Sequence, residues 1–194
     1  MRERILAARR ALPAADRARH SRSIAARLAA LDAFVRARVV ALYAATGAEV
    51  DTAPLAALAL AAGKRVAYPR IVEATRALAF VACDPAVLVP GVLGTRAPPP
   101  ELACATVDEL DLVVVPGVAF DAEGRRLGRG GGYYDATLAL LPRGAARLGV
   151  AFEIQVVPAV PEEPHDVRLD GVVTEARVLF PLTPSPASGI PSRP

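Results

Sequence analysis

Short apolar runs rich in β-branched residues alternate along this chain with segments of helical spacing, and that alternation restricts the fold more than any other feature. RVVALYAA at 38–45, LVVVP at 112–116, ARLGVAF at 146–152 and ARVLFP at 176–181 read as strands. Residues 2–12 and about 16–31 read as helices. Ile5, Leu6 and Leu12 fall on one side of the first, Ile24, Leu28 and Leu31 on one side of the second, and arginines fill the opposite faces. EVDTAPLAALALAAGKRVAYPRI then continues the 38–45 run as helix and strand. In it Asp51 or Thr52 can cap the first amides, Pro54 suits the first turn, and Gly63 can end the helix in a left-handed conformation. ALAFVA at 77–82 is a further strand, and YYDATLALL at 133–141 a further helix. Prolines and glycines crowd 89–103 too densely for either element, so an irregular loop is expected there. The pattern is that of an α/β fold with a mostly parallel sheet flanked by helices.

The chain has 194 residues, 53% of them apolar and 22% charged, which suits one domain over 1–183. The end, PSPASGIPSRP at 184–194, offers nothing to bury and is expected to be a disordered tail. With 23 Lys and Arg against 20 Asp and Glu the net charge is only +3, too small an excess to imply a nucleic-acid partner, whereas a small anion fits. MRERILAARR has no apolar signal core and the stretch 54–62 is too short to span a bilayer, so a cytoplasmic protein without a membrane partner is expected. Cys83 and Cys104 lack metal-ligand spacing and are read as reduced and structural. His20, among helix arginines, is expected to face solvent.

After the run LVVVPGVAF at 112–120 comes GRRLGRGGGYYD at 124–135, with five glycines and three arginines in twelve positions. A strand that enters a glycine-rich turn and then a helix gathers backbone N–H groups and a positive helix end around one point, which favours phosphate. Gly128, Gly130, Gly131 and Gly132 would let an anion approach the backbone, and Arg125, Arg126 and Arg129 would supply charge-assisted bonds. The plainer alternative is a flexible surface loop; the flanking strand and helix favour the anion. The loop lacks the GK[ST] ending of a P-loop and the spacing of GxGxxG, so the residues specify phosphate and not one nucleotide. Asp135, one turn into the helix, reads either as a magnesium partner or as an aspartate favoured by the helix dipole.

VVVPGVAFDAEGRRLGRGGGYYD at 113–135 resembles the signature of the 5-formyltetrahydrofolate cyclo-ligase, or 5,10-methenyltetrahydrofolate synthetase, family. The resemblance extends to EVDT at 49–52, GKRVAYPR at 63–70, LAF at 78–80, FEIQ at 152–155 and PHD at 164–166. It implies a Rossmann-like three-layer α/β fold and an ATP- and magnesium-dependent cyclisation of 5-formyltetrahydrofolate to 5,10-methenyltetrahydrofolate, with release of ADP and phosphate. It implies no covalent nucleophile and makes Arg129 the catalytic cation. Arg2 and the segment Arg126, Leu127, Gly128, Arg129, Gly130, Gly131, Gly132, Tyr133 and Tyr134 match ATP-binding positions. Glu49, Gly130 and Tyr133 match folate contacts, and Asp135 and Asp166 match magnesium-associated aspartates. A monomer is expected, with His165 in an orienting or structural role; for Tyr133 and Tyr134, core packing of one stays open beside contact with the ligands.

The chain departs from the family pattern in three places. A lysine in a K-x-x-x-R pattern would fall before Met1, leaving Arg2 as the counterpart of its arginine. Ala97 stands where a GIxEP segment has glutamate, and Leu78 where methionine is common. Two other readings of these residues remain: a paralogue that binds folate or nucleotide without turnover, and a sugar-phosphate or CoA-handling enzyme on a related scaffold.

Overall fold

The computed structural model describes residues 1–72, 77–104 and 107–181; the tail expected at 184–194 lies outside them. The helices are α1 (Arg2–Ala11), α2 (Ala14–Ala29), α3 (Asp32–Arg36), α4 (Ala53–Ala61) and α5 (Tyr133–Leu138). The strands are β1 (Val39–Ala41), β2 (Arg65–Ile71), β3 (Leu78–Ala82), β4 (Val89–Pro90), β5 (Arg96–Ala97), β6 (Leu112–Val115), β7 (Ala119–Phe120), β8 (Arg126–Leu127), β9 (Ala146–Val150), β10 (Gly171–Val173) and β11 (Val178–Leu179). Seven strands form the central sheet in the order β11-β10-β9-β6-β1-β2-β3. The middle five are parallel, and β3 and β11 close the edges antiparallel. The fold is therefore α/β with a mostly parallel sheet, as expected.

Both faces of the sheet are buried, which is why its central strands read as unbroken apolar runs rather than alternating ones. Along β6 every residue is fully buried. Leu112 and Val114 join the cluster packed under α2, α3 and α4, with Ile24, Phe34 and Leu55. Val113 and Val115 point to the other face, with Phe80, Leu138 and Leu169. Each such Val or Leu contributes about 1.5–3 kcal/mol by leaving water. Three helices cover the first face; the second is covered by the six-residue α5 and by irregular chain, so the third layer is thin.

Several expected elements differ in extent. The helix expected over 16–31 stops at Ala29, where Leu31 N–H returns to Leu28 O, and the separate α3 then buries Phe34. The strand expected over 38–45 pairs only through Ala41, with one further bond from Leu42 N–H to Ala67 O. The helix expected over 133–141 ends at Leu138, three residues before Leu141 and the helix-incompatible Pro142. In 176–181 only β11 is extended, and it runs antiparallel to β10, the parallel strand that its three residues were too few to reveal. Within 89–103, mostly irregular as expected, β4 and β5 make a small hairpin. His20 is half-buried rather than solvent-facing: its Nδ1 lies 3.4 Å from Glu175 and its ring centroid 6.1 Å from that of Phe152. Cys83 and Cys104 are free thiols, and among the described residues no helix is long and apolar enough to cross a membrane.

From β1 the chain moves through α4 to β2 on one side of the sheet, and from β6 through α5 to β9 on the other. The connections diverge between β1 and β6, which leaves a crevice beyond their carboxyl ends. In open α/β sheets that switch point is where ligands bind.

Candidate functional site

A cavity of about 550 Å³ opens at that switch point. Tyr43, Thr46 and Glu49 enter it from the segment after β1, Pro116 and Gly117 from the end of β6, and residues 126–135 from the glycine-rich loop. Pro69, Ile71 and Leu78 form an apolar wall, and Val92, Arg96 and Ala97 of the β4–β5 hairpin a further side. At Ala97, where the family pattern has glutamate, a methyl group therefore lines the cavity.

The loop is more elaborate than strand, glycine turn and helix. Between β6 and α5 the chain makes the hairpin β7–β8, with Ala119 opposite Leu127 and Phe120 opposite Arg126. The fully buried Asp121 accepts hydrogen bonds from the backbone N–H groups of Glu123, Arg125 and Val160. Gly124 turns the hairpin at φ +75°, where a Cβ would lie 2.3 Å from Leu169 O. Gln155, also buried, donates to Gly117 O and Val118 O. The base of the loop is thus clamped, and its tip is carried on a rigid frame. Gly130 and Gly132 take φ +101° and +69°, which side chains rarely adopt. Gly131 instead is small because of a neighbour: a Cβ there would meet the Tyr133 ring at 2.9 Å. With only six residues, α5 supplies little dipole, so the positive character of the site comes from arginines.

Of the loop arginines, Arg126 and Arg129 enter the cavity. Arg125, read with them as a phosphate contact, turns away to ion pairs with Asp121 at 3.2 Å and Glu162 at 3.1 Å. The Arg126 side chain is 5% exposed, donates from Nη2 to Asp135 Oδ1 at 2.7 Å and lies 5.8 Å above the Tyr134 ring. Arg129 donates from Nη2 to Glu49 Oε1 at 2.7 Å and to Thr46 Oγ1 at 2.9 Å. Arg2 reaches the loop from the start of the chain, donating from Nε to Gly128 O at 3.1 Å. Beside the cavity, and sharing Arg2, Thr46 and Arg129 with it, is a recess of about 430 Å³ lined also by Arg9 and Arg10. Arg9 is buried, and its Nη1 donates to Gly117 O at 3.3 Å.

Tyr133 and Tyr134 both line the cavity and both pack on the core behind it, so neither role excludes the other. Burial, reinforced by the negative charge of Glu49, pushes the hydroxyls of Tyr43 and Tyr134 well above the ordinary phenol range. Both are neutral at physiological pH and can donate. The Tyr43 hydroxyl is already given to Val50 O at 2.9 Å.

Asp135 and Asp166 both face the cavity. Asp166 Oδ2 accepts from Glu163 N–H at 2.8 Å. Among the described residues no three His, Cys, Asp or Glu side chains are clustered as metal ligands. Magnesium does not need such a cage: it is usually held by one or two carboxylates together with substrate phosphates and water. The two aspartates fit a magnesium ion that arrives with a nucleotide. His165 lines the cavity from an exposed position, its Nε2 3.4 Å from Glu163.

Apart from Arg125, every residue singled out from the sequence for ligand binding lies on this cavity. Tyr43, Thr46 and Arg96 also line the cavity, although no motif in the sequence marks them as ligand contacts. Thr46 had a local signal: it precedes Gly47, whose φ of +60° sets the turn that returns Glu49 N–H to Thr46 O.

Residues 1–175 match the model of the 5-formyltetrahydrofolate cyclo-ligase family. The chain is 32% identical to the 5-formyltetrahydrofolate cyclo-ligase of Mycolicibacterium smegmatis, over 94% of this chain and 95% of that protein. It is 33% identical to the enzyme of the same name from Escherichia coli K12, over 88% and 96% respectively. Among solved structures, the 5,10-methenyltetrahydrofolate synthetase of Aquifex aeolicus superposes with a TM-score of 0.82 at 33% identity, covering 94% of this chain and 91% of that one. The synthetase of Mycoplasma pneumoniae superposes with a TM-score of 0.73 at 25% identity, covering 90% and 96%.

Proposed function

Because the chain belongs to the 5-formyltetrahydrofolate cyclo-ligase family, we propose that it closes 5-formyltetrahydrofolate to 5,10-methenyltetrahydrofolate, driven by conversion of ATP to ADP and phosphate. The observation that carries this reading is that one cavity is lined both by cations, Arg2, Arg126 and Arg129, and by apolar side chains, Pro69, Ile71 and Leu78, together with the Glu49 carboxylate. The first set suits a polyphosphate; the second suits a flat heterocycle whose hydrogen-bond donors meet an acceptor.

A formamide is a poor electrophile and its oxygen a poor leaving group. Transfer of the γ-phosphoryl group to the formyl oxygen expels ADP and leaves the formyl carbon bonded to a phosphate ester oxygen and an iminium-like N5. The neighbouring N10 attacks that carbon and loses its proton to solvent; phosphate then departs with the original formyl oxygen. The protein provides alignment and charge neutralisation, not a covalent nucleophile. Arg129 is the exposed cation of the loop and can follow the transferring phosphoryl group, while Arg126 is held in place by Asp135. On this reading Gly128, Gly130, Gly131 and Gly132 present backbone to the phosphates, Leu127, Tyr133 and Tyr134 contact the nucleotide with them, and Gly130 and Tyr133 also contact the folate; all of them line the cavity. Asp135 and Asp166 would hold magnesium, whose contribution is to neutralise phosphate charge. We place the enzyme in the cytoplasm as a monomer.

The test is the appearance of near-ultraviolet absorbance from methenyltetrahydrofolate when the protein is mixed with 5-formyltetrahydrofolate, ATP and magnesium. Turnover is expected to stop when ATP is omitted or a chelator is added in excess; product formed without nucleotide would overturn the phosphorylation step.

A further inference from the structure

The carboxylate proposed to hold the folate and the cation proposed to meet the phosphates are bonded to each other. Arg129 Nη2 lies 2.7 Å from Glu49 Oε1. The two partners are held very differently. Glu49, with 10% of its side chain exposed, has its other oxygen fixed by Thr46, whose backbone N–H donates to Oε2 at 2.9 Å and whose hydroxyl donates to it at 3.2 Å. Arg129 is 54% exposed and, among the described residues, is tied through this pair and Thr46 Oγ1. A folate edge that donates to Glu49 must compete with Arg129 for Oε1. A phosphate in the loop offers Arg129 more negative charge than one carboxylate does.

We propose that Arg129 is an exchange element between the two substrates, and that Thr46 is the positioning residue that keeps Glu49 oriented while Arg129 leaves. Nucleotide draws the guanidinium onto its phosphates, Oε1 becomes available, and the folate binds to a carboxylate whose Oε2 has not moved. Nucleotide and folate then strengthen each other's binding by the same factor, as linkage requires. This rests on the assignment of the two ligands made above.

Calorimetry on the full chain with 5-formyltetrahydrofolate, with and without a non-hydrolysable ATP analogue and magnesium, tests it. In the wild type the analogue should tighten folate binding about fivefold or more, within the usual range of allosteric coupling. Arg129→Ala should bind folate without nucleotide more tightly than the wild type does, close to the wild-type value with the analogue, and the analogue should then add little. Arg129→Gln, which removes the charge and keeps a donor for Thr46, should shift in the same direction. Thr46→Val should raise the folate KM several-fold while leaving kcat and the ATP KM near wild type, and Thr46→Ser should restore it. If Arg129→Ala binds folate no better than the wild type, or coupling persists in it, the exchange is overturned and the folate assignment stands. If the wild type itself binds no 5-formyltetrahydrofolate, the assignment falls and the exchange with it.

Discussion

Asp135 shares one short ion pair with Arg126 and faces the cavity, so two roles meet in one carboxylate. Asparagine separates them. Its amide oxygen can still accept from Arg126 Nη2, so the local geometry survives, while the negative charge that would attract magnesium is gone. Asp135→Asn should therefore fold, bind folate, and need several-fold more magnesium for half-maximal turnover, measured by the near-ultraviolet assay over a magnesium titration. An unchanged magnesium requirement would leave Asp135 as a partner of Arg126 only. Other residues of the segments that carry the resemblance serve the frame instead. Asp121 and Gln155 touch backbone groups of the hairpin and never the cavity, because both are buried with their polar atoms already engaged. A linear string does not distinguish such residues from ligand contacts, since burial is decided by chain segments far away.

The six-residue α5 is too short to be stable by its own propensity and depends on what it packs against. Its link to the sheet edge runs through the fully buried Thr137, whose hydroxyl donates to Tyr133 O at 2.7 Å and accepts from Leu78 N–H at 2.8 Å. Valine has nearly the same shape but leaves the Leu78 N–H without its partner. Thr137→Val should destabilise the protein by about 1–3 kcal/mol, the cost of a buried unsatisfied donor, in denaturant unfolding. Thr137→Ser should recover most of that loss, and equal stability of all three proteins would show that α5 does not rely on this bond. Since Leu78 and Tyr133 both line the cavity, the valine variant should also weaken folate binding. The expected helix ran three residues too far for a related reason: Leu140 and Leu141 keep the apolar spacing, yet after Leu138 the chain turns back toward β9 to pack Leu141.

Across the whole molecule, charge ties the segment after β10's neighbour β9 to the hairpin that carries the loop. Glu162 accepts from Arg168 at 2.6 Å and from Arg125 at 3.1 Å, and the bonds from Arg168 first, then Arg125, lower its carboxyl from 4.5 to about 2. A carboxyl lowered by folding stabilises the native state above its unfolded value and loses that contribution as pH falls from about 4.5 toward 2. Glu162→Gln should thus melt below the wild type at neutral pH, with the difference closing by about pH 2. Because the cluster is near the surface, salt should shrink the gap, and a gap that stays constant with pH would rule out the ion pairs as its cause. At this scale the division between sequence and structure is clear. Four consecutive apolar residues at 112–115, the segment ending at Gly63 and the glycines before Tyr133 pointed to a mostly parallel α/β sheet with a glycine-rich loop, because apolar runs, helix spacing and the preference of glycine for positive φ are local properties of the chain. The three-residue β10 and the hairpin β7–β8 were not legible, being shorter than any period and held by partners elsewhere. Which arginine meets which acid was decided by tertiary structure alone. Arg2 and Gly128 are separated by 126 positions and Arg129 and Glu49 by 80, and only the order of strands around the switch point brings their atoms within 3.1 Å and 2.7 Å.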